Sequence, residues 1–151
     1  MNEDKVLAVN RRARFDYEIL DRVEAGLVLL GTEIKAMREG RIDLSDAYAR
    51  PEEREMWLHN VHVGRYSATA HDGHDPKRPR KLLMHKDQID RFGAQVLERG
   101  LTLVPLRLYL RRGRAKVELG VARGRRQHDK RRAIIDRERD REARAAAGRF
   151  R

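Results

Sequence analysis

The sequence predicts a mainly β domain with two or three short helices, followed by a basic C-terminal tail. Several short segments alternate apolar and polar residues, helical periodicity is limited to a few segments, and the composition changes after residue 122. Five or six short antiparallel strands favour a closed or partly closed sheet, because closure hides the strand edges. We therefore expect a small OB-like β-barrel over residues 1–122 and a separate tail over residues 123–151.

The first strand pattern covers residues 15–30, where apolar residues alternate as in one strand or a bent pair of strands. Gly26 inside this segment indicates a bulge or a close backbone approach. A short helix is predicted from Gly31 to about Glu39, and Gly40 is its expected C-terminal stop.

A hairpin is expected next. Its strands are Ser45–Ala49 and Met56–Val63, joined by a charged turn over Arg50–Arg54. His59 and His62 are three residues apart in the second strand, so they would face opposite sides of the sheet and would not bind one metal ion together.

The segment from Ser67 to Pro79 is polar and aperiodic, which is typical of an exposed functional loop. Its run His71–Asp75 contains histidine and aspartate side chains that a flexible loop can bring onto a metal ion, although such side chains are usually only solvated. The strongest helical pattern follows, from His85 to Arg99, and Gly100 closes it.

A second hairpin is predicted from Leu101–Leu110 and Ala115–Val121. Pro105 lacks an amide hydrogen, which directs the first of these strands to an edge or a bulge. Strict alternation would put two sets of apolar residues on one face of the sheet: Val104, Leu106, Leu108 and Leu110 in the first strand, and Val117, Leu119 and Val121 in the second.

The charge balance indicates a polyanionic partner. The chain has 35 Lys and Arg against 24 Asp and Glu, a net charge of +11 and a pI near 10.6. The absence of cysteine excludes disulfides, thiolate metal sites and a cysteine nucleophile. The longest apolar run, Leu27–Leu30, is much shorter than a membrane span, and the N-terminal pattern is not that of a signal peptide, so we expect a cytoplasmic protein without a membrane partner.

The tail is chemically distinct from the body. Residues 123–151 carry twelve basic and five acidic residues, and their apolar residues beyond alanine are Ile134, Ile135 and Phe150. Such a segment buries too little surface to order itself, so we expect disorder in the free protein. Its Arg, Glu and Ala content favours a helix formed on contact with RNA. A solvated tail that only aids solubility is the alternative.

Catalytic motifs are missing from the sequence. It contains no glycine-rich phosphate loop, no G-x-S-x-G element and no carboxylate pair with a matched base, and no cofactor is implied. Its eight aromatic residues are few for extended base stacking, so RNA recognition should depend on shape and backbone.

Five sequence blocks, in this order, resemble those of a known family. They are "VNRRARFDYEIL", "EAGLVLLGTEIKAMREGRIDLSDAYA", "HDPKRPRKLLMHKDQI", "GLTLVPLRLYL" and "AKVELGVARGRRQHDKR". From about Asn10 to Arg132 the chain closely resembles the SsrA-binding protein family, also called small protein B. The resemblance implies a non-catalytic protein of bacterial trans-translation that binds the tRNA-like domain of transfer-messenger RNA. It also implies delivery with elongation factor Tu to stalled ribosomes.

The resemblance implies that Asn10, Glu24, Leu83 and Lys116 hold the tRNA-like domain. Lys116 can neutralise a phosphate, while Asn10 and Glu24 can bond sugars or base edges. Two neighbouring basic clusters are assigned to phosphates: Arg11, Arg12 and Arg14, and Lys77, Arg78, Arg80 and Lys81. The family commonly has histidine where this chain has Phe15, which removes a polar group there.

For the tail, the resemblance implies a helix in the empty mRNA channel and contacts near the ribosomal decoding centre. The residues assigned to these contacts are Arg123, Arg125, Arg126, His128, Asp129, Lys130 and Arg131. Two alternatives stay open on residues alone: a general binder of structured RNA or ribosomes, and, third, a metal-dependent enzyme built on His71–Asp75.

Overall fold

The computed structural model describes residues 4–65 and 74–124, together with residues 135, 137–139, 141 and 142 of the tail. The first two ranges form nine strands and three helices. In chain order these elements are β1 (Lys5–Val9), α1 (Ala13–Asp16), β2 (Tyr17–Leu27), α2 (Gly31–Arg38), β3 (Ile42–Asp43), β4 (Tyr48–Glu52), β5 (Glu55–His59), β6 (His62–Val63), β7 (Arg80–Leu83), α3 (Lys86–Arg99), β8 (Thr102–Arg111) and β9 (Arg114–Gly124).

Seven strands form one antiparallel sheet in the order β1-β8-β4-β5-β7-β2-β9, and β8 also pairs with β9. The sheet therefore closes on itself. The ladder between β4 and β8 consists of one residue pair, Ala49 opposite Leu103. Strands β3 and β6 form a separate small pair. The predicted mainly β fold with short helices is confirmed, and the closed sheet fits the OB-like description.

Apolar side chains on the inner face of the sheet make the main core, including Leu58, Leu82 and Val117. Helix α3 adds Ile89 and Phe92 to this core. Each such side chain stabilises the fold by about 1.5–3 kcal/mol when fully buried. In the described part of the chain, no helix has the length and apolar character needed to cross a membrane.

The helix predictions are confirmed. Helix α2 ends at Arg38 and Gly40 follows with a left-handed φ of 79°. Helix α3 ends at Arg99, and Gly100 caps it with φ 66°. Glycine suits both positions because it adopts positive φ without the steric cost of a Cβ atom.

The limits of the first hairpin differ from the prediction. Strand β4 begins at Tyr48 and continues through Pro51, so the predicted turn over Arg50–Arg54 is wrong. The turn consists of Glu53 and Arg54 alone, with φ of 50° and 66°. Two successive left-handed residues match the twist of paired strands, which makes this tight turn compatible with the sheet.

Two other predicted strands have different limits in the structure. Asn60, with φ 62°, separates β5 from β6, so Met56–Val63 is not one strand. At the N-terminal side, Phe15 lies in α1, and β2 begins only at Tyr17.

The bulge predicted at Pro105 is confirmed by a register shift between Pro105 and Arg107, although β8 is an inner strand. The shift makes the predicted single apolar face of β8 wrong. Leu108 faces the main core, whereas Val104 and Leu106 pack with Ala13 and Ala122 in a second cluster. An inserted residue shifts the alternation of side chains by one, so residues that would otherwise share a face lie on opposite faces before and after the bulge.

The sheet continues two residues past the expected boundary at residue 122, because β9 ends at Gly124. Arg123 lies in the ladder opposite Glu18, and the two side chains form an ion pair at 2.6 Å. The described tail positions from residue 135 onward are helical. The remaining residues assigned to the ribosome lie outside the described residues: Arg125, Arg126, His128, Asp129, Lys130 and Arg131.

Candidate nucleic-acid interface

The strand register brings separate sequence blocks together on the outer face of the sheet. Gly26 of β2 lies between Leu83 of β7 and Lys116 of β9, and Lys116 lies opposite Tyr109 of β8. A Cβ atom on Gly26 would be 3.1 Å from the Leu83 Cβ atom, so the close approach predicted at Gly26 is confirmed. The small residue lets the Leu83 side chain lean across the strand while remaining 54% exposed.

A cleft of about 450 Å³, here the central cleft, opens over this row. Three of the four residues implied to hold the RNA line it: Glu24, Leu83 and Lys116. Lys81 also contributes, and it is the member of its predicted basic cluster that lines this cleft. Glu24 and Glu55 offset the two lysines, so the cleft is nearly balanced in charge and has an apolar wall at Leu83.

Glu24 is fixed by its neighbours on β8. The Tyr109 hydroxyl donates a short hydrogen bond to Glu24 Oε2, and Arg111 Nη1 donates to the two carboxylate oxygens at 2.8 and 3.1 Å. Asp4 holds Arg111 in turn, at 2.8 and 3.0 Å. Burial of the Tyr109 side chain, together with its hydrogen bond to the negatively charged Glu24, raises the pKa of Tyr109 well above its ordinary value. The Tyr109 hydroxyl therefore stays protonated at neutral pH and donates to Glu24.

A second cleft of about 630 Å³, here the lateral cleft, lies where β1, β2, β8 and β9 meet. The predicted residues Arg11 and Arg14 line it together with Arg22 and Arg107, which the sequence reasoning missed. Arg12 is exposed and lies 3.8 Å from Asp16 in α1, outside this lining. The full lining is Val9, Asn10, Arg11, Arg14, Arg22, Leu106, Arg107, Glu118 and Arg137.

Asn10 borders the lateral cleft but is 8% exposed. Its amide nitrogen donates to the Leu44 carbonyl at 3.1 Å and to the Pro105 carbonyl at 2.9 Å, and its Oδ1 is buried. These bonds join the end of β1 to β8 and to the segment after β3. The Asn10 amide nitrogen thus braces the cleft wall, and a bond from Asn10 to a sugar or a base edge stays a prediction.

The basic cluster predicted over residues 77–81 divides into separate sites. Arg80 is fully buried: its Nε donates to Glu33 Oε2 at 2.5 Å and its Nη1 to the Val61 carbonyl at 2.7 Å. Arg78 donates to Glu33 Oε1 at 2.5 and 3.2 Å. The assignment of Arg80 to phosphate binding is therefore wrong, and Arg78 is largely committed to the same carboxylate. A basic side chain facing the interior is a structural group when a carboxylate neutralises it.

Glu33 is the centre of this buried group and has no exposed surface. It also caps helix α2 by accepting the Leu30 amide at 2.8 Å. Burial raises the pKa of Glu33, but the hydrogen bonds from Arg78 and Leu30 and the charge of Arg80 outweigh burial and hold the pKa below its ordinary value. Glu33 is therefore ionised in the folded protein at neutral pH.

The polar loop before β7 is anchored at its described end. The two ring nitrogens of His74 lie 3.0 Å from Thr32 Oγ1 and 3.0 Å from the Val63 carbonyl. Both are engaged in the fold, so His74 is not available to a metal ion; His71 and Asp72 lie outside the described residues. Lys77 lines a different pocket, beside Asp43, Asp46 and His62.

The functional residues that the sequence did not predict follow the alternation of side chains along their strands. Arg107, Tyr109 and Arg111 occupy every second position of β8, and Arg22 and Glu24 do so in β2. The guanidinium carbons of Arg107 and Arg111 lie 4.4 and 5.3 Å from the centre of the Tyr109 ring. Polar residues at this spacing beside Lys116 indicate a functional outer face.

A small closed antiparallel sheet whose outer face carries a charge-balanced cleft beside an arginine-rich one defines the class of the protein: a binder of structured RNA. A family model described as SmpB protein matches residues 7–149. The chain belongs to the SmpB family.

Relatives and a solved structure agree with this assignment. An SsrA-binding protein of Anaeromyxobacter dehalogenans (strain 2CP-C) is 57% identical over 148 residues, 98% of this chain and 91% of the relative. An SsrA-binding protein of Thermobifida fusca (strain YX) is 52% identical over 147 residues, 97% and 92% of the two chains. A solved structure described as "tmRNA-SmpB: a journey to the center of the bacterial ribosome" has a TM-score of 0.68 and 46% identity, and the match covers 84% of this chain and 93% of that chain.

Proposed function

We propose that this protein binds the tRNA-like domain of transfer-messenger RNA and brings that RNA to stalled ribosomes for trans-translation. It acts in the cytoplasm by binding alone, without a catalytic step of its own, and elongation factor Tu joins it in the delivery complex. Membership of the SmpB family supports this role. The structural observation that carries it is the central cleft, because Glu24, Leu83 and Lys116 converge there from three strands.

The chemistry of the central cleft suits a specific contact. Lys116 supplies a positive charge for a phosphate, Leu83 an apolar surface for a sugar or base, and Glu24 an acceptor for a base amino group or a 2′-hydroxyl. Tyr109 and Arg111 hold the Glu24 carboxylate in place before the RNA arrives. A surface that recognised charge alone would gain nothing from a carboxylate at its centre.

The test compares binding of the full chain to the tRNA-like domain and to ordinary tRNA. We expect the first RNA to bind more tightly, and we expect Glu24→Ala to weaken its binding even though the variant is more basic. The matched control is Glu98→Ala, because Glu98 is exposed on α3 and lines neither cleft. Equal affinity for the two RNAs would instead identify a general binder of structured RNA.

The tail is proposed to contact the ribosome, which separates its role from that of the sheet. Deletion of residues 127–151 removes nine basic residues. Binding to the isolated tRNA-like domain should remain nearly intact at physiological salt, while peptide tagging on stalled ribosomes should be lost. A deletion variant that still tags at the normal rate, or that no longer binds the RNA, would contradict this division. Any nonspecific loss of affinity should fade as salt rises.

A further inference from the structure

The two clefts lie side by side on one outer face. In β2, Glu24 of the central cleft and Arg22 of the lateral cleft are two residues apart, about 7 Å along the strand. In β9, Glu118 lies directly opposite Glu24. An RNA strand seated at Glu24 and Lys116 would therefore reach the lateral cleft along the same face.

The charges of the two clefts differ. Within the described residues, the lateral cleft is lined by five arginines and one acidic residue, Glu118, whereas the central cleft has two lysines and two glutamates. Val9 adds an apolar side chain that is 56% exposed. This combination fits a phosphate backbone with its sugars and offers little to a basic or purely apolar partner.

Glu118 organises two of these arginines. Its carboxylate accepts from Arg22 Nη1 at 3.2 Å and from Arg107 Nε at 3.4 Å. Arg107 also stacks on the buried Tyr109 ring at 4.4 Å. The outer triad, defined as Arg22, Glu118 and Arg107, therefore carries one net positive charge and holds two guanidinium groups in fixed positions.

The guanidinium groups remain accessible. The side chains of Arg22 and Arg107 are 51% and 35% exposed, whereas Glu118 is 22% exposed. Arg107 donates its Nε hydrogen to Glu118, and among the described residues no hydrogen bond from its terminal amino groups is present. A planar guanidinium with free terminal donors is suited to the two oxygens of a phosphodiester.

We propose that Arg22 and Arg107 bind RNA phosphodiesters in the lateral cleft and that Glu118 is the positioning residue that holds both arginines. This subsite rests on the proposed function and extends the central cleft to a second stretch of the same RNA. It explains why a protein with a polyanionic partner keeps a carboxylate between two of its exposed arginines.

The test measures the dissociation constant of the full-length protein and the tRNA-like domain over a series of salt concentrations. We expect Arg22→Gln and Arg107→Gln each to weaken binding about 5- to 10-fold and to reduce the salt slope by about one. The matched control Arg99→Gln removes an exposed arginine that lines neither cleft, and it should change affinity less than about twofold. Thermal unfolding verifies that each variant is folded.

Glu118→Gln gives the sharper result. It raises the net charge by one, so a charge-driven surface would bind more tightly. We expect instead about threefold weaker binding with the salt slope unchanged, because the phosphate contacts remain but their geometry is lost. Arg107→Lys should also weaken binding, since the amine keeps the charge but not the fork or the ring stacking.

The proposal is overturned if Glu118→Gln binds equally well or more tightly, or if Arg22→Gln and Arg107→Gln match Arg99→Gln. The same variants are titrated with ordinary tRNA. If wild-type protein fails to prefer the tRNA-like domain, the proposed function fails, while an unchanged loss for the two arginine variants on ordinary tRNA still supports a phosphodiester subsite.

Discussion

Two groups of the same composition have different roles in this molecule. The inner triad, defined as Arg78, Glu33 and Arg80, and the outer triad each contain one glutamate between two arginines. In the inner triad Glu33 and Arg80 have no exposed surface and the charged atoms approach to 2.5 Å. In the outer triad every member is partly exposed and the distances are 3.2 and 3.4 Å.

The difference shows that burial, rather than composition, decides what such a group does. Once an arginine is removed from water, its carboxylate partner becomes necessary, because an unpaired buried charge is very costly. At the surface, water compensates each charge, so the ion pairs stabilise the fold little and the arginines stay available to a ligand. The inner triad therefore positions β7 with its Lys81 and Leu83, whereas the arginines of the outer triad are available to bind RNA.

The largest expected effect follows from breaking the inner triad. Glu33→Gln leaves the buried Arg80 guanidinium without its counter-charge and should lower the free energy of unfolding by about 3–5 kcal/mol. Glu118→Gln, the same change in the outer triad, should cost less than about 1 kcal/mol. Urea unfolding of both variants checks this comparison. Equal losses in the two variants would show that the triads do not differ in kind.

Acid titration sharpens the same comparison. Because the folded-state pKa of Glu33 is lowered, its contribution to stability is present above the ordinary glutamate pKa of about 4.3 and is lost as pH falls through the folded pKa. The stability gap between wild type and Glu33→Gln should thus be constant near neutral pH and shrink below about pH 4. A gap that persists unchanged into acid would assign the loss to packing rather than to charge.

Much of the fold is predictable from local pattern. Helix α3 follows from periodicity and from Gly100, which marks a left-handed backbone position, and the β8–β9 hairpin follows from the alternation in its two strands. Two of the errors lie where other residues take that conformation. Glu53 gives no such signal, so the turn of the first hairpin is misplaced; Asn60 tolerates positive φ better than most residues, but it lies inside a pattern that predicts one continuous strand.

The site is predictable only in part, because its contacts are distant in sequence. Arg80 looks like a surface phosphate ligand until the fold brings Glu33 to it from 47 residues away. Glu24 comes from the family resemblance, but its partner Tyr109 is 85 residues further along the chain. Alternation along β8 after Pro105 puts Arg107 and Arg111 on the outer face. The bulge after Pro105 shifts the register, so alternation counted from Val104 does not carry through to them.

The smallest expected effect concerns the link between the outer triad and the central cleft. Tyr109 contacts both: its hydroxyl donates to Glu24 and its ring carries Arg107. Tyr109→Phe keeps the ring and removes one hydrogen bond, so it should cost about 0.5–1.5 kcal/mol of stability. Binding of the tRNA-like domain should weaken about two- to threefold, because the Glu24 carboxylate loses a fixed donor while Arg111 still holds it.

The matched control is Tyr48→Phe, since Tyr48 stacks on His59 at 5.4 Å and lines neither cleft. A double-mutant cycle of Tyr109→Phe with Glu24→Gln then isolates their coupling. If Tyr109 acts through Glu24, the double variant should bind the RNA no more weakly than Glu24→Gln alone. Fully additive losses would show that the Tyr109 hydroxyl acts on RNA binding by another route, and the two clefts would then be independent.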